Sequence, residues 1–281
     1  MTVRQAAAWV MPAAALLILL SAWPLVFSVV VSLRAQDGSW TLDHFARMAK
    51  DRVFLVAAWQ TVRYTAVALA AEFLLGLSLA LLVDSLPRYR GVFRAGMLVP
   101  MLVPPIVAAV IWRLMFNPQF GVINGTLRLF GVDTAALTWT SGESWALASV
   151  ILVDIWEWTP FLFLVLSAGL QAIPPDPVEA ARLDGANAWQ VFRDVELPLL
   201  KPVIALAVML RAMDLVRIFD QIWILTQGGP GYATETVSLY IYRNAFRFFN
   251  FGYAAAMSFC VLLVTILFAR GVLRLMRREA V

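Results

Sequence analysis

Glu179-Ala-Ala-Arg-Leu-Asp-Gly-Ala-Asn-Ala-Trp-Gln-Val-Phe-Arg-Asp-Val-Glu-Leu-Pro198 is a charged stretch between two of the most apolar segments of a 281-residue chain. A plain connection has no need of helix punctuation, yet this one is full of it. Just upstream, Pro174-Pro175-Asp176-Pro177-Val178-Glu179 predicts a helix start. Asp176 accepts from first-turn amides, Pro177 suits the first helical position, and Glu179 stands at capping-box spacing. The helix runs to about Asp184, where Gly185 supplies the left-handed conformation that ends it. Asn187 then caps a second short helix, with Gln190 three residues on. That helix presents Trp189 and Phe192 on one side and halts before Pro198. A DNA-binding helix-turn-helix has similar punctuation. From Asp176 to Glu196, however, five acids face two arginines, a net of −3 that phosphate would repel. An acidic two-helix knob with an aromatic edge suits docking on another protein.

The rest of the chain reads as built for lipid. Hydrophobic residues make up 62% and charged residues 14%, too apolar for one water-soluble core, so the bilayer is part of the solvent. The single cysteine, Cys260, lies in an apolar run and excludes an internal disulfide framework. The net charge of +4 is spread over loop ends, a pattern of membrane orientation and not of nucleic-acid binding. Met1–Leu33 has Arg4 and then a long apolar stretch without a small-residue cleavage site, which reads as a retained first membrane helix.

Six segments reach the ~20 residues a helix needs to cross ~30 Å of hydrocarbon. They are Ala6–Leu33, Ala57–Asp84, Phe93–Met115, Trp145–Leu170, Leu199–Leu225 and Phe251–Ala269, within a single all-α domain, 1–281. The charged stretch, 176–197, joins the fourth to the fifth. With the amino terminus inside, the inner segments hold eleven Lys and Arg and the outer loops seven, which favours both termini in the cytoplasm. Pro100, Pro104 and Pro105 are expected to kink or unwind the third span, either opening a cavity or simply bending a structural bundle.

Charge inside these spans is expensive, about 2.5–3.5 kcal/mol per residue at a helix centre, so each such residue needs a partner or a wet cavity. Glu72, Arg113, Asp154, Glu157, Arg211, Asp214, Arg217 and Asp220 all qualify. On a continuous fifth helix, Arg211, Asp214, Arg217 and Gln221 share an arc of about 120°, with Asp220 at its edge. Arg211–Asp214 and Arg217–Asp220 are then i,i+3 pairs. The face is either local charge compensation or the polar wall of a path for a hydroxyl-rich solute. Trp156 and Trp158 flank Glu157 and offer rings for a sugar, or belong to the core or the aromatic belts. His44 stands in an outer loop with no metal or catalytic partner set, and reads as solvated. Neither a Ser-His-Asp nor a metal-ligand pattern is visible in the sequence, so no catalytic or metal residue is assigned.

Glu179-Ala180-Ala181, three residues, Gly185, nine residues, then Val195-Glu196-Leu197-Pro198 resembles the EAA motif of ATP-binding-cassette importer permeases. Val195 stands where that pattern favours isoleucine. Trp156-Glu157-Trp158-Thr159-Pro160-Phe161, Ala168-Gly169-Leu170-Gln171-Ala172-Ile173-Pro174, and Gly121-Val122-Ile123-Asn124 resemble the carbohydrate-uptake, MalF-like branch. So does Leu225-Thr226-Gln227-Gly228-Gly229-Pro230 with Thr234, its outer glycine turn. The resemblance covers essentially the whole chain.

This resemblance implies a type I importer permease in the bacterial inner membrane. Such a subunit pairs with a second permease and two ATPase subunits, and receives sugar from an extracytoplasmic binding protein. It implies ATPase coupling through Glu179, Ala180, Ala181, Asp184, Gly185, Trp189, Leu197 and Pro198. The candidate substrate path is Arg211, Asp214, Arg217, Asp220, Gln221, Trp156 and Trp158. ATP and Mg are expected on the partners: the only lysines, Lys50 and Lys201, follow Ala49 and Leu200, so no Gly-Lys-Ser/Thr phosphate loop exists here. The chain itself is expected to bind no cofactor and to be no enzyme. The rival readings are a proton-coupled secondary transporter, which leaves the knob unexplained, and a scaffold or sensor subunit that uses the knob only to bind a partner. Disaccharide, oligosaccharide and glycerol phosphate all remain open as cargo.

Overall fold

The computed structural model describes residues 3–35, 37–86 and 88–279. The side chains of Arg4, Arg277 and Arg278, counted above toward orientation, lie outside the described residues. Among the described residues, thirteen α-helices follow one another: α1 Val3–Ser32, α2 Asp43–Lys50, α3 Arg52–Asp84, α4 Arg90–Leu102, α5 Pro105–Met115, α6 Val122–Leu129, α7 Glu143–Gln171, α8 Pro175–Leu183, α9 Ala188–Val191, α10 Leu197–Val216, α11 Asp220–Leu225, α12 Val237–Tyr242 and α13 Phe251–Glu279. Among the described residues, four helices are long and apolar enough to cross a membrane: those holding Trp9–Ser32, Arg52–Asp84, Glu143–Gln171 and Phe251–Arg274. The pair α4 and α5 passes the same test together. Helix α10 has 20 residues and so the length, but carries Lys201, Arg211 and Asp214.

Two expected spans are not single helices. The third turns by 89° between α4 and α5. This exceeds a kink because Pro104 and Pro105 stand together and Val103, held extended before a proline (φ −78°, ψ 125°), cannot continue the helix. The fifth ends at Val216 instead of Leu225. Arg217 and Ile218 donate to Asp214 and Leu215, tightening the last turn, and Phe219 leaves helical geometry at φ −139°. The Val216 and Ile218 carbonyls, freed by the break, accept from the hydroxyls of Ser238 at 3.5 Å and Thr236 at 3.4 Å. Broken backbone at membrane depth is tolerable when it is satisfied within the protein in this way.

The chain divides into two compact units. In the first, Met1–Leu55 with Tyr240–Leu267, Asp51 is the knot. It accepts from the Val53 and Phe54 amides at 2.9 and 3.3 Å, starting α3, and from the Tyr240 and Tyr253 hydroxyls, both at 2.7 Å. Arg47 of α2 covers the Tyr253 ring at 4.4 Å. His44 differs from the expected solvated loop residue: it lies on α2, half-buried, its ring where a Gly252 Cβ would stand and its Nε2 3.1 Å from the Arg34 carbonyl oxygen.

The second unit, Val56–Leu239 with Phe268–Val281, holds the larger core. Ala80 and Val83 of α3, Leu162, Phe163, Leu166 and Leu170 of α7, and Leu200 and Ala207 of α10 form one buried cluster. Gly76 sets the α3–α7 approach, since a Cβ there would sit 2.9 Å from that of Leu162 and 3.0 Å from the Phe163 amide. Tight packing of three helices fixes where their polar side chains meet.

Candidate functional site

The charged stretch folds as helix, glycine turn, helix. Its start differs from expectation. Pro174 (φ −58°, ψ 141°) is the cap residue of α8 and Pro175 the first helical position, with no side-chain cap bond. Asp176 therefore falls inside the first turn, where its charge meets the helix dipole, and Glu179 makes no capping box. Two consecutive prolines preset the backbone one residue-pair earlier than Asp176 could cap it.

At the other end, Gly185 at φ +86° donates to the Arg182 carbonyl and Ala186 to that of Ala181, the paired bonds of a Schellman turn. Nothing lies within 4 Å of a Cβ placed on Gly185, so backbone conformation alone calls for glycine. Asn187 Oδ1 then accepts from the Gln190 amide at 3.0 Å, while the Asn187 amide donates to Gln190 Oε1 at 2.8 Å. This is the reciprocal box expected of that pair.

The second helix does not halt before Pro198. From α9 the backbone passes through a π-helical stretch, Phe192–Glu196, straight into α10, with the Leu197 amide donating to the Phe192 carbonyl. Pro198 has no N–H and its ring would crowd the carbonyl four residues back; the wider turn absorbs that conflict and keeps the helix continuous. The second helix of the knob and α10 are thus one continuous rod, with α8 joined to it through the Gly185 turn. Glu179, Ala180, Asp184, Gly185, Trp189 and Pro198 are exposed, and Ala181 and Leu197 half-buried. Trp189, 64% exposed, leans on Phe192 with ring centroids 5.7 Å apart, and Leu183 is 88% exposed. Arg193 grips Asp194 through two hydrogen bonds of 2.7 and 2.9 Å and holds its carboxyl below the ordinary value. Burial, and then the charge of Asp84, push the Glu196 carboxyl up.

Further along the same rod, Arg211 enters the bundle. Its guanidinium donates to both Glu72 oxygens of α3 at 2.7 and 2.9 Å and to Asp154 of α7 at 2.5 Å. Trp158 covers it at 4.8 Å. Arg211 is 2% exposed and both acids 0%. Beside this, Gln221 of α11 donates to buried Glu157 at 2.7 Å.

The expected i,i+3 pairs are replaced. Arg211 reaches acids on other helices, and Arg217 pairs with Asp214 at 3.0 Å, both side chains at least half exposed. The polar arc is split because the helix breaks after Val216: Arg211 and Gln221 turn inward, while Asp214, Arg217 and Asp220 stay exposed. Trp156 is half-buried, edge-on to Trp112 at 5.7 Å. Gly228, Gly229 and Pro230 lie in a turn closed by Thr234. Its hydroxyl donates to the Gly229 carbonyl at 3.0 Å and contacts the Thr226 hydroxyl at 2.7 Å, and its amide donates to the Gly228 carbonyl at 3.1 Å. Asn124 accepts from Trp139 Nε1 at 2.8 Å, locking α6 to the approach to α7. Among the described residues, no group of three metal-ligating side chains is present.

Residues 72–280 match the family described as binding-protein-dependent transport system inner membrane component. The trehalose/maltose transport system permease protein MalF of Thermococcus litoralis is 41% identical over 211 residues, 75% of this chain and 70% of that one. The trehalose transport system permease protein SugA of Mycobacterium tuberculosis is 33% identical over 278 residues, 95% and 88% of the two chains. In fold, a bacterial ABC transporter involved in the import of the acidic polysaccharide alginate superposes with a TM-score of 0.86, at 22% identity, over 96% of this chain and 94% of that one. Knob, broken spans and buried ionic core together sit in a membrane transport subunit, not an enzyme: this chain belongs to the family of inner membrane components of binding-protein-dependent transport systems.

Proposed function

We propose that the chain is the permease subunit of an ATP-driven sugar importer, forming half of the translocation path and coupled to a separate ATPase through the α8–Gly185–α9 knob. The observation that carries this is mechanical. The knob continues through the π-helical stretch into α10, and α10 delivers Arg211 to Glu72 and Asp154 on two other helices. A push on the knob therefore reaches three helices through one rod and one ionic node.

In this reading the chain crosses the inner membrane six times with both termini in the cytoplasm, α4 with α5 and α10 with α11 each counting as one broken span. It works beside a second permease, two ATPase subunits that hold ATP and Mg, and an extracytoplasmic sugar-binding protein. The sugar assignment is supported by relatives described as trehalose/maltose and trehalose permeases. The exposed Asp214–Arg217 pair and Asp220 are the groups of the polar arc open to a hydroxyl-rich solute, while Arg211 and Gln221 hold the bundle together. Swinging a two-state bundle from 1:99 to 99:1 takes about 5.5 kcal/mol, which ATP binding to the partners supplies only through a stiff link.

The test is uptake of radiolabelled trehalose or maltose by the assembled complex in proteoliposomes. ATP-dependent, binding-protein-dependent accumulation of either sugar is expected. Uptake driven by a proton gradient without ATP would contradict the proposal.

A further inference from the structure

Between α3 and α7, at the end of α7 remote from the knob, lies a groove of about 640 Å³. Its lining is mixed in chemistry. Arg63, Glu143, Gln60 and Tyr232 contribute charged and polar groups, while Val67, Leu152 and Ile155 contribute an apolar strip, of which Val67 and Leu152 are exposed. The stretch of α3 from Thr65 to Val83, apolar but for the buried, Arg211-paired Glu72, covers about 28 Å at 1.5 Å per residue, close to the thickness of hydrocarbon. Arg63 therefore sits at the membrane boundary. Glu143, the first residue of α7, shares its level, and Trp59 and Trp145, 61% and 39% exposed, mark the same level as an aromatic belt does.

The two charges are of opposite sign and both exposed, yet among the described residues no ion pair joins them: the hydrogen bond of Arg63 goes to Gln60 at 3.3 Å. Below them the trough runs on along the α3–α7 seam, since Ile155 also lines a second, almost wholly apolar groove further down. A hydroxyl-rich sugar would leave the exposed apolar strip of Val67 and Leu152 uncovered, and an apolar partner helix would leave both charges unused. A phospholipid with a phosphate and a primary ammonium matches every part.

We propose that this groove holds one phosphatidylethanolamine, its phosphate at Arg63, its ammonium at Glu143 and an acyl chain along Val67, Leu152 and Ile155. Arginine favours phosphate, and Glu143 accepts charge-assisted hydrogen bonds that only an ammonium bearing N–H groups donates. Phosphatidylcholine, with a trimethylated nitrogen, keeps the phosphate contact and loses those bonds. The inference rests on the chain's place in the membrane and not on its cargo, so its test reads lipid and not uptake.

The assembled complex, in vesicle-derived nanodiscs of defined phosphatidylethanolamine, phosphatidylcholine and phosphatidylglycerol content, is released into native mass spectrometry and its retained lipid identified. Phosphatidylethanolamine is expected to be retained about tenfold more than phosphatidylcholine of the same chains, the worth of a charge-assisted hydrogen bond. Glu143→Gln abolishes that preference, and Arg63→Gln lowers retention of both. Equal retention of the two by the unaltered complex overturns the proposal without any variant. So does tightest retention of phosphatidylglycerol unaffected by Glu143→Gln, displacement of the lipid by sugar, or a cross-link from Leu152→Cys to another subunit, each showing a different occupant.

Discussion

Arg211 ties α10 to α3 and α7. Two buried acids and an aromatic ring converge on it, and removing one member of such a cluster leaves uncompensated charge in the bundle. Arg211→Ala is expected to cost about 3–5 kcal/mol, read as a fall in the melting temperature of the assembled complex in detergent. Arg211→Lys recovers only part of this, because a point charge does not replace a fork that serves two carboxylates. Unchanged melting of the alanine variant would show that the cluster contributes nothing. The cost of these charges was legible in the sequence; their pairing was not. Helical spacing relates only near neighbours, whereas Arg211 meets residues 139 and 57 positions away. Asp51 is a second such residue. Burial works against its charged form, but hydrogen bonds from Tyr240, Tyr253 and two amides prevail and hold its carboxyl below the ordinary 3.8. A depressed folded value means that its stabilisation is full above about pH 4 and is lost as pH falls through the folded value. The protection factor at the start of α3, exchange being corrected for its intrinsic slowing in acid, should therefore fall on acidification, and Asp51→Ala should remove that response; a response that survives the substitution would place it elsewhere.

Among the elements, the knob was the most legible, because its turn chemistry is local. Gly185 and the Asn187–Gln190 box stand where their residue types predict. What sequence punctuation misjudged was proline. Pro177 and Pro198 read as a helix start and a stop, yet Pro174 and Pro175 begin α8 earlier and a π-helical stretch carries the backbone past Pro198. Pro104 and Pro105 did the reverse, converting an expected kink into an 89° turn. Whether a proline bends, starts or merely widens a helix depends on packing that no local rule contains. Asn187→Ala should cost about 1 kcal/mol through loss of the cap. It should fray α9 in hydrogen exchange while leaving α10 protected beyond the π-helical stretch; loss of protection throughout α10 would show that the two helices melt as one.

Across the whole molecule, the proposed coupling depends on stiffness. In the proposed coupling, the exposed Trp189 and Leu183 of the knob are the docking edge, and the continuity of α9 with α10 makes that edge a lever on Glu72 and Asp154. Flexibility at Gly185 would waste the stroke, and strain there would displace it. With open space around the glycine, a substitution acts through its φ of +86° and not through a clash. Alanine at such a position costs about 1–2 kcal/mol and a β-branched residue more. The most direct measurement is the number of sugar molecules taken up per ATP hydrolysed by the complete complex carrying Gly185→Val in proteoliposomes. The lever predicts continued ATP hydrolysis with a several-fold fall in that ratio, and a smaller fall for Gly185→Ala. A wild-type ratio in the valine variant would contradict it.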